Sequence, residues 1–194
     1  MPRKVDHRER QELLADALMR LAAARGLQEV SLRHVATEAG VSTGMVQHYF
    51  RTKDEMMTFA LGMVMDRIRE RSQAELAPAS PRKLVRSLLL QILPLDETRR
   101  MESHVVLAFL AYAAVKPSIA SGVREAAAQM RAFLADQLRA VGPVNGMDPE
   151  RAAAGLLALV DGLGLQLLSR QYAEQDAVVA LDAQLDLLFG MQVG

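Results

Sequence analysis

The residues from Ala39 to Lys53, AGVSTGMVQHYFRTK, leave the backbone few choices. Gly40 marks a tight turn. Ser42, two residues on, is a helix cap, because its hydroxyl can accept from a first-turn amide. A second cap follows at Thr52, where Thr52-Lys53-Asp54-Glu55 has the Thr-x-x-Glu pattern of a capping box. Between these caps there is room for one helix of about two turns, Thr43 to Tyr49. A helix that short is unstable alone in water and must be packed on others.

The preceding residues supply the support. From Asp6 to Arg25, Leu14, Ala17, Leu18, Leu21 and Ala22 recur at helical spacing, and Gly26 ends the run. Met1–Val5, with Arg3 and Lys4, reads as a mobile arm. Ser31 caps a second short helix, Leu32 to Ala39, whose inner face is Leu32, Val35, Ala36 and Ala39. Val46 and Phe50, four apart, point inward from the helix after it. Two short helices joined at Gly40 and packed on a longer one form the layout of a helix-turn-helix.

Downstream, start and stop signals predict six more helices. They run from Thr52 to about Leu76, Ser80-Pro81 to about Leu93, Asp96 to Val115, Ser118 to about Val141, Asp148-Pro149-Glu150 to about Tyr172, and about Asp176 to Phe189. Composition agrees: 51% of residues are hydrophobic but only 4% aromatic, and the Ala and Leu that dominate lose little on entering a helix. No β-branched run alternates as a strand does. The expected fold is all-α, with a three-helix head over residues 1–52 and a six-helix ligand-binding and dimerisation body over 53–194. The capping box makes the fourth helix rigid from its first turn, so motion in the body can pass to the head.

Which chemistry suits the short helix? Residues 1–53 carry nine Lys and Arg against six Asp and Glu, while the whole chain is neutral. That asymmetry fits a small nucleic-acid-binding head on a body with another task. No acid lies between Val41 and Lys53. Ser42, Thr43 and Gly44 are small enough for close backbone approach to phosphate; Gln47 can pair with adenine, and His48 lies beside it. Tyr49, Lys53, Ser31 and Arg33 can reach phosphates, whereas His34 reads as surface solvation. The histidines, His7 and His104 included, form no metal-ligand pair at helical spacing. With no cysteine and no recognisable nucleophile setting, neither a metal, a cofactor nor an enzyme is expected. No apolar run is expected to span a bilayer, and no signal peptide is evident, which suggests a cytoplasmic protein.

Residues 31–57, SLRHVATEAGVSTGMVQHYFRTKDEMM, resemble the DNA-binding signature of the TetR family: a Ser cap, Ala-x-x-Ala-Gly-Val-Ser, Gly, Tyr-Phe, then Lys-Asp-Glu. Gln47 departs from it, standing where many members have a phosphate-contacting Tyr. The body is similar to BetI-like regulators through Leu159-Val160-Asp161-Gly162-Leu163 and the Glu102, Phe109, Ala113 run. The resemblance implies a homodimer, a double-stranded, palindromic DNA operator, a ligand pocket in the body, and a four-helix bundle between subunits.

For the pocket the candidates are Met63, Glu102, Phe109, Tyr112, Gln129, Met130, Phe133 and Asp161. Met63 belongs to a methionine cluster that fills either core or pocket. Tyr112 and Gln129 can orient a ligand. Asp161 interrupts an apolar helix, so it is paired, exposed, or lining a cavity where it selects a cationic ligand. For the dimer the candidates are Leu163, Leu167, Leu185, Leu188 and Phe189, because the last two helices have more apolar residues than one packed face needs. The function expected is a repressor released from its operator by a small-molecule effector. The alternatives are an activator of the same fold and a helical ligand-binding protein that does not read DNA.

Overall fold

The computed structural model describes residues 3–26, 30–74, 80–142 and 146–190; of these, the side chains of 3–6, 73, 74 and 118 are left undescribed. Among them are nine helices and no strand: α1 (Arg3–Arg25), α2 (Leu32–Glu38), α3 (Thr43–Tyr49), α4 (Lys53–Ala74), α5 (Pro81–Ile92), α6 (Glu97–Val115), α7 (Pro117–Ala140), α8 (Pro149–Leu168) and α9 (Glu174–Phe189). The start signals act as expected. The hydroxyls of Ser31, Ser42 and Ser80 and the carboxylate of Asp148 each accept an amide in the first turn of the helix that follows.

Two of the expected boundaries shift by three residues or more. Helix α1 begins at Arg3, so residues 3–5 are helical rather than a loose arm. The end expected near Leu76 lies outside the described residues. Helix α8 stops at Leu168, four residues short of Tyr172, in a Schellman turn: the Arg170 amide donates to Leu167 (3.1 Å) and the Gln171 amide to Gln166 (2.9 Å). The left-handed position of that turn is Arg170, φ 57°, where glycine is the usual occupant, so the sequence carries no glycine signal for it.

The chain divides into two compact units. The first comprises Met1–Arg67 and His104–Ala120. Its core holds Leu14, Leu18, Val35, Val46, Phe50 and Met57, each no more than 2% exposed. The second comprises Ile68–Ser103 and Ser121–Gly194. Its core gathers Val85 and Leu89 of α5, Leu134 of α7, Leu156 and Val160 of α8, and Leu181 and Leu185 of α9. Two ion pairs strap α5 to α9: Arg82 donates to Asp186 at 2.7 Å, and Arg86 to Asp182 at 2.6 Å.

Helix α8 corrects one expectation. By length and composition it is apolar enough to cross a membrane, yet Leu156, Val160, Leu163 and Leu167 along one side are packed in the second unit's core. Most of the residues proposed for the dimer are used there too. Leu163, Leu167, Leu185 and Leu188 are buried within the single chain, and Phe189 is half-buried against the same core. What α8 and α9 leave outside is Leu165 (52% exposed), Val179 (61%) and Leu187 (62%).

Candidate nucleic-acid interface

The turn between α2 and α3 is built by local bonds. Gly40 adopts φ 68°, a left-handed conformation; its amide donates to Thr37 at 3.2 Å and that of Val41 to Ala36 at 2.9 Å. Those bonds satisfy the last carbonyls of α2 and redirect the chain. Ser42 then accepts from the Met45 amide at 3.2 Å and starts α3. Val46 is fully buried, and Phe50 just beyond is 1% exposed and packs on the Phe59 ring at 5.4 Å. Burying side chains of this size is worth roughly 1.5–3 kcal/mol each, which fixes the face that α3 turns inward.

The opposite face holds the candidate contacts. Gly44, Gln47 and His48 are exposed; Thr43 and Tyr49 are half-buried. Ser31 and Arg33 are exposed at the start of α2. One neighbour went unnoticed in the sequence: Met45, 39% exposed. Its signal was the helical spacing itself, since turning Val46 inward puts Met45 outward. Tyr49 lies between two imidazoles, with ring centres 4.8 Å from His7 and 5.1 Å from His48.

Helix α4 is fixed from its first residues. Thr52 accepts from the Glu55 amide at 3.1 Å, but Glu55 reaches back to the Arg51 amide (2.8 Å) rather than to Thr52. Asp54, in that first turn, accepts from Tyr112 at 2.8 Å and from Lys116, which also donates to the Tyr112 hydroxyl at 2.7 Å. The Lys116 hydrogen bond holds Asp54 below its ordinary carboxylate value, and the same bond raises Lys116. Lys53 is half-buried with its ammonium 5.9 Å from the Tyr112 ring centre, and burial lowers its pKa. It is less accessible than the sequence suggested.

The eight candidate ligand residues divide between the two units. Met63, Phe109 and Tyr112 belong to the first unit; Glu102, Gln129, Met130, Phe133 and Asp161 to the second. Tyr112 is committed to Asp54 and Lys116. Glu102, 4% exposed, is held by both terminal nitrogens of Arg71 at 3.1 and 2.7 Å, so its charge is already matched. Met63 and Phe109 are buried, Met130 and Phe133 pack against the second core, and Gln129 is exposed. Asp161 sits on the outer side of α8. Although the residue is exposed, partial desolvation of its carboxylate raises its pKa. An open groove of ≈ 790 Å³ lies around Arg100, Arg170, Tyr172 and Glu174, and none of the eight lines it.

The short outward helix, its glycine turn and its capped neighbours match a family model described as bacterial regulatory proteins of the tetR family over residues 14–58. A second model, the BetI-type transcriptional repressor C-terminal region, matches residues 81–190. The chain belongs to the TetR family of transcriptional regulators. It is 33% identical over 177 residues to the HTH-type transcriptional regulator PksA of Bacillus subtilis, covering 87% of this chain and 83% of that one. It is 29% identical over 174 residues to the regulator BetI of Rhizobium meliloti, covering 89% and 85%. A transcriptional regulator from Rhodococcus sp. Rha1 superposes with a TM-score of 0.83 at 39% identity, over 92% of this chain and 95% of that one. A protein from Saccharomonospora viridis described as a transcriptional regulator, solved in complex with choline, gives 0.81 at 26% identity, over 90% and 94%. TetR-family regulators bind DNA operators and small-molecule effectors and work as dimers. These relatives are transcription regulators, not enzymes.

Proposed function

We propose that this TetR-family regulator is a cytoplasmic repressor whose head, residues 1–52, reads a palindromic operator through α3, and whose body, 53–194, responds to a small organic effector. The observation that carries the DNA reading is α3 itself: Val46 and Phe50 hold it inward, leaving an acid-free outer face of Gly44, Met45, Gln47 and His48. In the groove Gln47 pairs with adenine, and the Met45 side chain packs on a thymine methyl, the apolar feature of the major groove. Ser31, Arg33, Ser42, Thr43 and Tyr49 contact phosphates, with Lys53 at the edge. Two heads bind half-sites about one helical turn apart.

The dimer face consists of the apolar residues left outside on α8 and α9, Leu165, Val179 and Leu187, with the exposed Ala154, Ala158 and Ala183 allowing close approach. An effector that binds one state of the body better than the other shifts the population toward it, and that difference in affinity limits the response. Choline is the first compound to try, because the Saccharomonospora viridis protein was solved with it.

The test is a titration by fluorescence anisotropy, using a duplex the protein has selected from a randomised pool. Arg33→Ala lowers the slope of log affinity against log salt by about one per head. An unchanged slope removes Arg33 from the phosphate contacts. Choline binding is read by thermal shift, followed by release of the duplex.

A further inference from the structure

One row of residues runs along the outward side of α8: Arg151, Ala154, Ala158, Asp161 and Leu165, at spacings of three and four. That is the spacing of a seam between packed helices. All five are exposed. Met147, four residues before Arg151 and just ahead of the helix, extends the row and is 51% exposed. The row therefore has an apolar residue at each end, a charge inside each of those, and two alanines at the centre.

Among the described residues neither charge is closely paired. The Arg151 side chain is 88% exposed, and its ion pair with Asp148, three residues back, is loose at 3.9 Å. Asp161 makes no hydrogen bond or ion pair among them, and burial raises its carboxyl pKa. The residues three and four positions from it on α8 are Leu157, Ala158, Gly164 and Leu165, none of them charged. A carboxylate in that setting calls for a cation once a surface closes over it. Helices α8 and α9 contain one basic residue between them, Arg151. It stands about 15 Å from Asp161 along the helix by rise per residue, too far to pair with it inside one chain.

The row matches itself when reversed. Turned end to end about Leu156, it sets Met147 opposite Leu165, Arg151 opposite Asp161 and Ala154 opposite Ala158: apolar on apolar, cation on anion, small on small. A two-fold axis performs that operation on two copies of one surface, so that residue i meets j and j meets i. The outward row of α9, Val179, Ala183 and Leu187, reverses onto itself about Ala183. By helical rise Leu156 is about 18 Å from the end of α8 and Ala183 about 14 Å from the start of α9. The two centres therefore stand at nearly the same height in the packed α8–α9 pair, and one axis serves both.

We propose that α8 packs antiparallel on α8 of a second copy of this chain, centred level with Leu156, and that Arg151 of each subunit pairs with the partner's Asp161. The inference rests on the dimer face proposed above and adds its register. The alanines let the helices approach, and the two ion pairs select one alignment. A parallel pair sets like charges together, and a slip of four residues sets Arg151 against Leu165.

The experiment measures the dimer dissociation constant of the full chain by sedimentation equilibrium at constant ionic strength. Both positions are exposed, so their variants keep the fold. Arg151→Glu places two acids face to face, and Asp161→Arg two cations, each twice about the axis. Either is expected to weaken the dimer by about 100-fold or more. Mixing the two single variants restores both ion pairs across the axis, so a heterodimer should form where neither variant dimerises alone. Arg170→Glu, in the turn after α8, should leave the dimer unchanged. If the single variants dimerise as tightly as wild type, or their mixture stays monomeric, the inference fails while the dimer face stands. If Arg170→Glu is the variant that dissociates the dimer, the register is centred elsewhere and the inference fails. If the wild type is itself monomeric at micromolar concentration, the dimer face falls with it.

Discussion

The bond between Arg71 and Glu102 gives the sharpest stability prediction, because the two partners are buried unequally. The Glu102 side chain is 5% exposed and the Arg71 side chain 30%. Arg71 gives Glu102 two donors, at 3.1 and 2.7 Å, and a third to Gln91 at 3.1 Å. Arg71→Met keeps the packed stem but leaves a carboxylate enclosed without its partner. Breaking a buried pair this way costs roughly 3–5 kcal/mol. The partial exposure of Arg71 lets water reach one side, so the expected loss is about 2–3 kcal/mol. In urea that shifts the midpoint down by about 1 M at an unchanged slope. The assay is helical ellipticity at fixed protein concentration, because a dimer's stability depends on concentration. Adding Glu102→Leu to Arg71→Met removes the stranded charge and should recover most of the loss. A single variant within about 0.5 kcal/mol of wild type, or a double variant no better than the single, would refute the reasoning.

Three further outcomes are expected. Arg170→Gly relieves the left-handed residue that closes α8; it should stabilise by about 1 kcal/mol and raise the melting temperature by roughly 2–4 °C, and a lower melting temperature would argue against strain there. Asp54 and Lys116 work in opposite pH limits. With Asp54 lowered from 3.8, its contribution is present above that value and is lost as pH falls through the folded pKa. With Lys116 raised from 10.5, its contribution is present below that value and is lost as pH rises through the folded pKa. The stability gap between wild type and Asp54→Asn should therefore be flat at neutral pH and close at both extremes; a gap independent of pH excludes the ion pair as its source. Val179→Glu with Leu187→Glu should yield monomers in sedimentation without loss of helicity, whereas a dimer that persists would place the interface elsewhere.

The parts of this chain legible in its sequence are those decided within a few residues. Ser42 and Thr52 start their helices by accepting from amides three positions on, and the Gly40 amide donates to the Thr37 carbonyl three positions back, so the composition of a short window is enough. The inward turn of Val46 and Phe50 follows from spacing alone. Sequence signals fail where a side chain's partner is distant. Tyr112 reads as a free hydroxyl suited to a ligand, but its acceptor Asp54 is 58 residues away. Glu102 reads as a pocket candidate, but its partner Arg71 is 31 residues away. Arg170 carries no turn signal because it stands at the left-handed position where glycine is the usual occupant.

The dimer residues show the same limit more sharply. Along α9 the pattern Ala177, Val179, Leu181, Ala183, Leu185, Leu187, Leu188 is apolar on almost every side, so periodicity shows a surplus without saying which residues form it. Arg82 and Arg86 decide the matter. Their bonds to Asp186 and Asp182 fix the rotation of α9 against α5, and that rotation carries Leu181 and Leu185 into the core. A side chain already removed from water by its own chain cannot be buried again by a partner. The proposed interface therefore draws on what the rotation leaves outside, Val179 and Leu187. The leucines most attractive on hydrophobicity alone are the ones the monomer itself buries, and the proposed face passes over them for that reason.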